Sequence, residues 1–100
     1  MEKSTPHCNL SVVKCLLEAG KVRTTLTALR DATALGFDFD EIVDVVMALT
    51  MRDFYKSMTS HTDHTVWQDV YRPNTRAGEL YLKLSVTNDV LIVSFKELNI

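Results

Sequence analysis

The second half of the chain carries side chains that could act together on a phosphodiester. They are cationic or hydrogen-bonding residues within predicted β-strands: Lys56, Gln68, Arg72, Tyr81, Lys83 and Lys96. RNA can be cut by its own 2′-hydroxyl, which requires a base, stabilisation of the charged phosphorus centre and an acid for the leaving 5′-oxygen. Lysines beside a tyrosine could supply all three, because clustered ammonium groups lower one another's pKa and a nearby cation lowers that of a phenol. On pattern alone, a polar sheet face is more often simply solvated.

Alternating apolar and polar residues predict the strands that must position these side chains. The predicted strands are residues 54–60, 66–72, 79–87 and 90–97. In "ELYLKLSV", Leu80 and Leu82 point to one side, and Tyr81 and Lys83 to the other. Sequential antiparallel strands downstream of helices indicate an α+β fold, with the N-terminal helices packed on one face of a mainly antiparallel sheet.

Turn chemistry then predicts which strand residues face each other. Asn88-Asp89 suits a two-residue turn, which pairs Tyr81 with Lys96. Directly opposed side chains have Cβ atoms about 5 Å apart, so Tyr81 and Lys96 should touch. Symmetric closure of the 73–78 loop would pair Gln68 with Lys83.

By the same reasoning Arg72 would pair with Glu79, and Lys56 would lie near Val70 or, after a slip by two residues, near Gln68. The six residues would then share what we call the cationic sheet face, with Glu79 as its only nearby carboxylate. The opposite face should pack against the helices through Leu80, Leu82, Leu84, Leu91, Val93 and Phe95. In the first two strands that core face is less cleanly apolar, since it would consist of Tyr55, Ser57, Thr59, Trp67, Asp69 and Tyr71.

Three helices are predicted in the first half of the chain. The first has Asn9 or Ser11 as its N-cap, a stripe of Leu10, Val13 and Leu17, and an end at Gly20; the second has a stripe of Leu26, Leu29 and Ala32 and ends at Gly36. The third begins with a capping box formed by Asp38 and Glu41, ahead of a buried stripe that includes Ile42, Val45, Val46 and Leu49.

Length and composition indicate one globular domain, residues 1–100. The chain has 100 residues, 46% of them hydrophobic, and its 11 basic and 13 acidic side chains give a net charge of −2. It has no apolar run of the length that crosses a membrane and no signal peptide, so a cytoplasmic location without a membrane partner is expected. This balance of charge gives no support to a nucleic-acid partner, so an anion site must come from local arrangement.

The cysteines and histidines predict neither a metal site nor a disulfide. Cys8 and Cys15 on one helix would be roughly 10 Å apart, too far to bridge. His61, Asp63 and His64 in "SHTDHT" more often form turn chemistry than a metal site. We therefore expect no metal and no cofactor.

Longer stretches of the chain resemble a known family. "DFYKSMT", "DHTVWQDVYRP", "YLK", "DVLIVSFKE" and, upstream, "MEKSTPH", "VRTT" and "GFDFD" closely resemble the motility quorum-sensing regulator (MqsR) family. The resemblance covers essentially the whole chain. This family comprises the toxins of bacterial type II toxin–antitoxin pairs.

The resemblance implies a RelE-like fold and an mRNA interferase, an endoribonuclease that cuts single-stranded message at GC-containing triplets without the ribosome, inhibiting translation and growth. It also implies an MqsA-like antitoxin partner. Carried over by motif, the catalytic lysine, glutamine and tyrosine fall on Lys56, Gln68 and Tyr81, with Lys96 as a further candidate. Arg72 and Lys83 are then expected to bind RNA.

Two other functions remain open at this stage. The same face could serve a non-enzymatic module that binds RNA or a partner protein. The chain could also be a degenerate toxin that folds and binds its antitoxin but has lost activity.

Overall fold

A computed structural model describes residues 1–98. The helices are α1 (Leu10–Glu18), α2 (Leu26–Ala34) and α3 (Phe39–Met47), followed by a 3-10 turn at Met51–Asp53. The strands are β1 (Glu2–Lys3), β2 (Val22–Thr24), β3 (Phe54–Thr59), β4 (Trp67–Tyr71), β5 (Asn74–Thr75), β6 (Gly78–Val86) and β7 (Val90–Glu97). No helix among residues 1–98 is long and apolar enough to cross a membrane.

The predicted α+β fold is confirmed. Within residues 1–98 the strands form one sheet in the order β1-β3-β4-β6-β7-β2, in which only the β2–β7 pair is parallel, and β5 pairs with β6 beside this path. Helix α2 packs on β7, and α1 contacts both α3 and β7. The helices therefore cover one face of the sheet and leave much of the other available for a site.

The core consists of side chains that these elements turn towards each other. Its largest fully buried members include Ile42 and Val46 from α3, Leu82 and Leu84 from β6, and Phe95 from β7. Phe37 meets Phe95 edge to face, with ring centroids 5.2 Å apart. The predicted apolar face of β6 is thus confirmed as the helix-facing side. In β7 the predicted row of Leu91, Val93 and Phe95 is wrong at Leu91 and Val93, because a bulge in the strand turns Val90 and Ile92 to the core instead.

Helices α2 and α3 begin directly after residues whose side chains cap their first turn. The predicted capping box at Asp38 and Glu41 is present, whereas Asn9 occupies the N-cap of α1 without a side-chain cap bond. The predicted stripe of α2 is wrong at Leu26, which is 62% exposed, because Thr25 is the N-cap and puts Leu26 in the first turn ahead of the buried face. Ala28 and Ala32 are fully buried there instead, and their small side chains allow α2 to lie close to β7.

Three short strands escaped prediction. The "KVR" link is largely β2, which runs parallel to β7 with Val22 opposite Val90. The segments Glu2–Lys3 and Asn74–Thr75 form β1 and β5. Strands of two or three residues have too few positions to show an alternating pattern.

A polar cluster explains why the first two strands lack a cleanly apolar core face. Asp69 is 3% exposed, and its carboxylate accepts hydrogen bonds from the backbone N–H groups of His7 (2.9 Å) and Cys8 (3.0 Å) and from the Ser57 hydroxyl. A buried carboxylate is tolerated only when hydrogen bonds satisfy it in this way. This part of the sheet is therefore covered by the segment that leads into α1 rather than by a helix.

A candidate ribonuclease site on the cationic sheet face

The β6–β7 hairpin brings Tyr81 and Lys96 directly opposite each other, as predicted. The Lys96 Nζ atom lies 5.6 Å from the centre of the Tyr81 ring, and Lys83 Nζ lies 5.7 Å from the same centre. Ammonium groups at this distance are attracted electrostatically to the face of the phenol ring.

The turn that leads to this pairing is not the predicted two-residue turn. Val86 pairs with Val90, so residues 87–89 form a three-residue turn. A bulge at Val93, between the Leu84–Ile92 and Lys83–Ser94 pairs, then restores the predicted register. The Thr25 hydroxyl donates to the Val93 carbonyl oxygen (3.1 Å), so the start of α2 supports the bulge.

The β4–β6 pairing is shifted by two residues from the prediction. Lys83 lies opposite Val70, not Gln68, because β5 forms a tight hairpin with the start of β6 around Arg76 and Ala77. A shift by two leaves every side chain on its predicted face. Continuing the register puts Arg72 opposite Tyr81, which agrees with the hydrogen bond from Leu80 N–H to the Pro73 carbonyl (2.9 Å).

Lys56 pairs with Val70, the first of its two predicted positions. A row of directly opposed residues therefore crosses the sheet from Lys56 through Val70 and Lys83 to Ser94. Val70 is fully buried although it lies outside the helix-side core. The aliphatic parts of neighbouring lysines can cover such a residue while their charged ends stay in water.

Gln68 lies one step further along the same face, opposite Met58 on β3. Because the register is shifted, the diagonal neighbour of Gln68 on β6 is Lys83 and not Tyr81. All six residues of the cationic sheet face thus lie on β3, β4, β6 and β7 or directly beside them.

The pKa values of two lysines on this face are shifted in opposite directions. Burial, followed by the charges of Lys96 and Lys56, lowers the pKa of Lys83. The pKa of Lys56 is raised instead, chiefly by its hydrogen bond to Glu2, whose Oε2 lies 2.7 Å from Lys56 Nζ. The expectation that Glu79 is the only nearby carboxylate is therefore wrong, because β1 brings in Glu2.

Tyr55 is a second residue that the sequence did not assign to this face. A bulge between Phe54 and Lys56 turns Tyr55 away from the core, and 48% of it is exposed. The Tyr55 ring centre lies 5.0 Å from Arg72 Cζ and 5.3 Å from Lys56 Nζ. Nothing in the composition of "DFYKS" marks the bulge, so alternation alone assigned Tyr55 to the core.

Two shallow depressions open on the cationic sheet face. One of about 350 Å³ is lined by Tyr81, Lys83, Lys96, Glu97 and Leu98. A second of about 310 Å³ is lined by Arg52, Asp53, Phe54, Tyr55, Arg72 and Glu79. Arg72 Nη2 lies 3.5 Å from Glu79 Oε1. The predicted strand pairing of these two residues is wrong, because the register puts Arg72 opposite Tyr81 and Glu79 pairs with Asn74 of β5.

The other candidate ligands lie elsewhere. Asp63 accepts hydrogen bonds from the backbone N–H and hydroxyl of Thr65 (2.9 and 2.6 Å), which is the predicted turn chemistry. Cys8 and Cys15 are both free thiols. Within residues 1–98 no three His, Cys, Asp or Glu side chains gather as a metal site would require.

Trp67 has partners that limit its use as a base-stacking surface. His7 stacks on it with ring centroids 5.4 Å apart, and Lys3 Nζ lies 4.2 Å from its centre. The exposed aromatic ring beside the lysines is that of Tyr55 rather than Trp67.

Comparison with known proteins agrees with the resemblance noted from the motifs. The family described as "Motility quorum-sensing regulator, toxin of MqsA" matches residues 5–97. The mRNA interferase toxin MqsR of Escherichia coli (strain K12) is 60% identical over 97 residues, which span 97% of this chain and 99% of that protein. The chain belongs to the motility quorum-sensing regulator family of toxins.

Proposed function

We propose that this protein is the mRNA interferase toxin of a toxin–antitoxin pair and that it cuts single-stranded RNA on the cationic sheet face. The observation that carries the proposal is the convergence of Lys56, Tyr81, Lys83 and Lys96 across three strands. A relative 60% identical over nearly its whole length is an mRNA interferase toxin, which supports the same activity here.

The proposed reaction is an internal transesterification. The 2′-oxygen attacks the adjacent phosphorus, its proton passes to a base, and the bond from phosphorus to the 5′-oxygen breaks. The leaving 5′-oxygen takes up a proton, so the products are a 2′,3′-cyclic phosphate and a 5′-hydroxyl end. The steps need no external oxidant or reductant, and we propose that they proceed without a metal ion.

We assign four catalytic residues within this scheme. Lys56 and Lys96 neutralise charge on the phosphate, Tyr81 transfers a proton, and Gln68 donates to a non-bridging oxygen. Arg72 and Lys83 bind the flanking RNA phosphates, since cations positioned along a backbone supply most of the affinity for a nucleic acid.

The proposed substrate is single-stranded mRNA at GC-containing triplets, cut without the ribosome. The proposed partner is an MqsA-like antitoxin, in keeping with the description of the family as the toxin of MqsA. Co-expression with such an antitoxin should yield a complex that does not cut RNA.

The test is cleavage of a defined single-stranded RNA by purified protein in excess EDTA without ribosomes. A second RNA in which each GC step is changed to CG serves as the sequence control. Tyr81→Phe and Lys56→Ala should lose cutting, while Lys14→Ala on α1, a matched loss of one lysine, should retain it.

Two outcomes would overturn parts of the proposal. Wild-type cutting by both site variants would remove the catalytic assignment. Binding of RNA without any cutting by wild-type protein would indicate a binding module or a degenerate toxin instead.

A further inference from the structure

The N-terminal strand delivers a carboxylate to the cationic sheet face. Strand β1 pairs with β3, with Glu2 opposite Met58, and the Thr59 N–H donates to the Met1 carbonyl oxygen at 3.0 Å. Residues two apart on β3 lie on one face, so Glu2 is a diagonal neighbour of Lys56. This register gives Glu2 a defined position beside a proposed catalytic lysine.

The contact between them is a short, partly covered ion pair. Glu2 Oε2 lies 2.7 Å from Lys56 Nζ; the Lys56 side chain is 25% exposed and the Glu2 side chain 57% exposed. Charge-assisted hydrogen bonds of this length are about twice as strong as neutral ones. Lys56 is therefore directed towards β1 by a specific acceptor.

The other titratable and charged groups around Lys56 have smaller effects on it. Tyr55 comes from β3, Tyr81 and Lys83 come from β6, and Arg72 beside β4 approaches the same Tyr55 ring. Hydrogen bonding to Glu2 is the main cause of the raised pKa of Lys56, ahead of desolvation, which acts in the opposite direction. No carboxylate contributes to the pKa shift of Lys83, and its pKa is lowered.

Building on the ribonuclease function proposed above, we propose that Glu2 is a positioning residue that holds Lys56 as a fixed cation against the scissile phosphate. In this arrangement Lys56 stabilises charge and proton transfer belongs to other groups of the face. An ammonium paired with a carboxylate is a poor base, because giving up its proton would leave the carboxylate without its partner.

This role has a kinetic signature that a merely structural contact would not give. The Glu2 carboxylate repels RNA phosphates, so its loss should not weaken substrate binding. Its loss should let the long Lys56 side chain move away from the reacting phosphate, which lowers kcat. Removing Glu2 should therefore lower kcat while KM stays constant or falls.

The experiment compares Glu2→Gln and Glu2→Asp with wild-type protein carrying no N-terminal tag. Glu18→Gln, an exposed carboxylate at the end of α1, is the control for the change in net charge. We expect kcat of Glu2→Gln to fall by about tenfold or more, since small misplacements of a catalytic group cost rate steeply. Glu2→Asp should recover part of this loss, and Glu18→Gln should show none of it.

A pH profile and a direct titration give the second readout. With Glu2 removed, the pKa of Lys56 falls, so the alkaline limb of the kcat profile should move to lower pH. Titration of the Lys56 side-chain NMR signals in the absence of RNA should show the same downward shift. Catalytic activity plays no part in that measurement.

Three results would overturn the inference, and each is distinct from failure of the proposed function. Unchanged kcat together with an unchanged Lys56 titration would remove any role for Glu2. A rise in KM at constant kcat would make Glu2 a binding residue. Loss of more than about a thousandfold with an unchanged Lys56 titration would make Glu2 itself the proton acceptor. Failure of the proposed function would appear instead as absence of cutting by the wild-type protein.

Discussion

Thr25 and Val93 are joined by a hydrogen bond of 3.1 Å from the Thr25 hydroxyl to the Val93 carbonyl oxygen. The same hydroxyl oxygen accepts from the Ala28 N–H, so Thr25 both caps α2 and supports the bulge in β7. The bulge sets the register that puts Lys96 opposite Tyr81. A helix cap on the core side is thus linked to the geometry of the cationic sheet face.

Replacing Thr25 with Val should affect both the stability of the fold and the cleavage of RNA. The change keeps the side-chain shape and removes both hydrogen bonds, and loss of a cap typically costs about 1–2 kcal/mol in the free energy of unfolding. RNA cleavage should fall in addition, because Lys96 is no longer held in register. Urea unfolding and cleavage assays measure the two effects, with Thr27→Val, an exposed neighbour on α2, as the control. Normal cleavage by a destabilised Thr25→Val protein would show that the cap does not influence the geometry of the cationic sheet face.

Tyr81 and Tyr71 should respond oppositely to loss of their hydroxyls. Tyr81→Phe should reduce cleavage by about a hundredfold or more without changing stability, as expected for loss of a proton-transfer group. The Tyr71 hydroxyl is buried without a hydrogen-bond partner among residues 1–98. Tyr71→Phe should therefore retain cleavage and stabilise the fold by up to about 1 kcal/mol. Denaturant unfolding and cleavage of the pair measure both effects, and loss of cleavage in Tyr71→Phe would contradict this contrast.

Tyr71 also predicts a dependence of stability on high pH. Burial, followed by the charges of Asp69 and Cys8, raises the pKa of Tyr71 to about 12. A group whose pKa is raised in the folded state favours folding below its unfolded pKa, and that contribution is lost as pH rises towards the folded value. The wild-type protein should lose stability between about pH 10 and 12 more steeply than Tyr71→Phe. Tyrosinate absorbance and unfolding at each pH check this, and parallel curves would contradict it.

Lys83 should be unfavourable for stability and favourable for RNA binding. Its pKa is lowered by burial and by Lys96 and Lys56, so the folded state holds this proton less tightly than the unfolded chain. Stability linked to Lys83 should therefore rise with pH above the folded pKa and up to the unfolded pKa. Lys83→Gln should stabilise the protein by about 0.5 kcal/mol, a small value because the side chain is partly solvated.

The same variant should bind single-stranded RNA more weakly and with a shallower dependence on salt. Binding titrations with Tyr81→Phe as the background prevent cleavage during the measurement. Lys21→Gln, an exposed lysine before β2, is the matched control. Equal salt dependence in the two variants would remove Lys83 from the RNA-binding surface.

Asp69 should be a structural rather than a catalytic carboxylate. Asp69→Ala would leave the Cys8 N–H without its acceptor and the His7 N–H with only its longer contact to the Ser57 hydroxyl oxygen (3.2 Å), and an unsatisfied donor that is removed from water costs about 1–3 kcal/mol. The midpoint of urea unfolding should fall markedly, while Asp44→Asn on the exposed side of α3 should change little. Unaltered stability of Asp69→Ala would show that the segment before α1 is held by other contacts.

The sequence by itself determined the faces of β4 and β6. In β6 the alternation of Leu80, Leu82 and Leu84 with Tyr81 and Lys83 separates the core from the cationic side. The period of two is a local property of an extended chain, so it survives errors in register of two residues. For this reason Gln68 and Lys83 share a face even though they are not directly opposed as predicted.

Tertiary structure alone decided the residues that depend on contacts distant in sequence. Glu2 reaches Lys56 across 54 positions only because β1 joins the edge of β3. Tyr55 turns outward at a bulge, and the Val93 bulge compensates for a turn one residue longer than predicted. Short edge strands and bulges are set by hydrogen bonds between segments far apart in the chain. Periodicity therefore determined the faces of the regular strand segments, and the packed sheet decided where bulges reverse a face and which side chains meet.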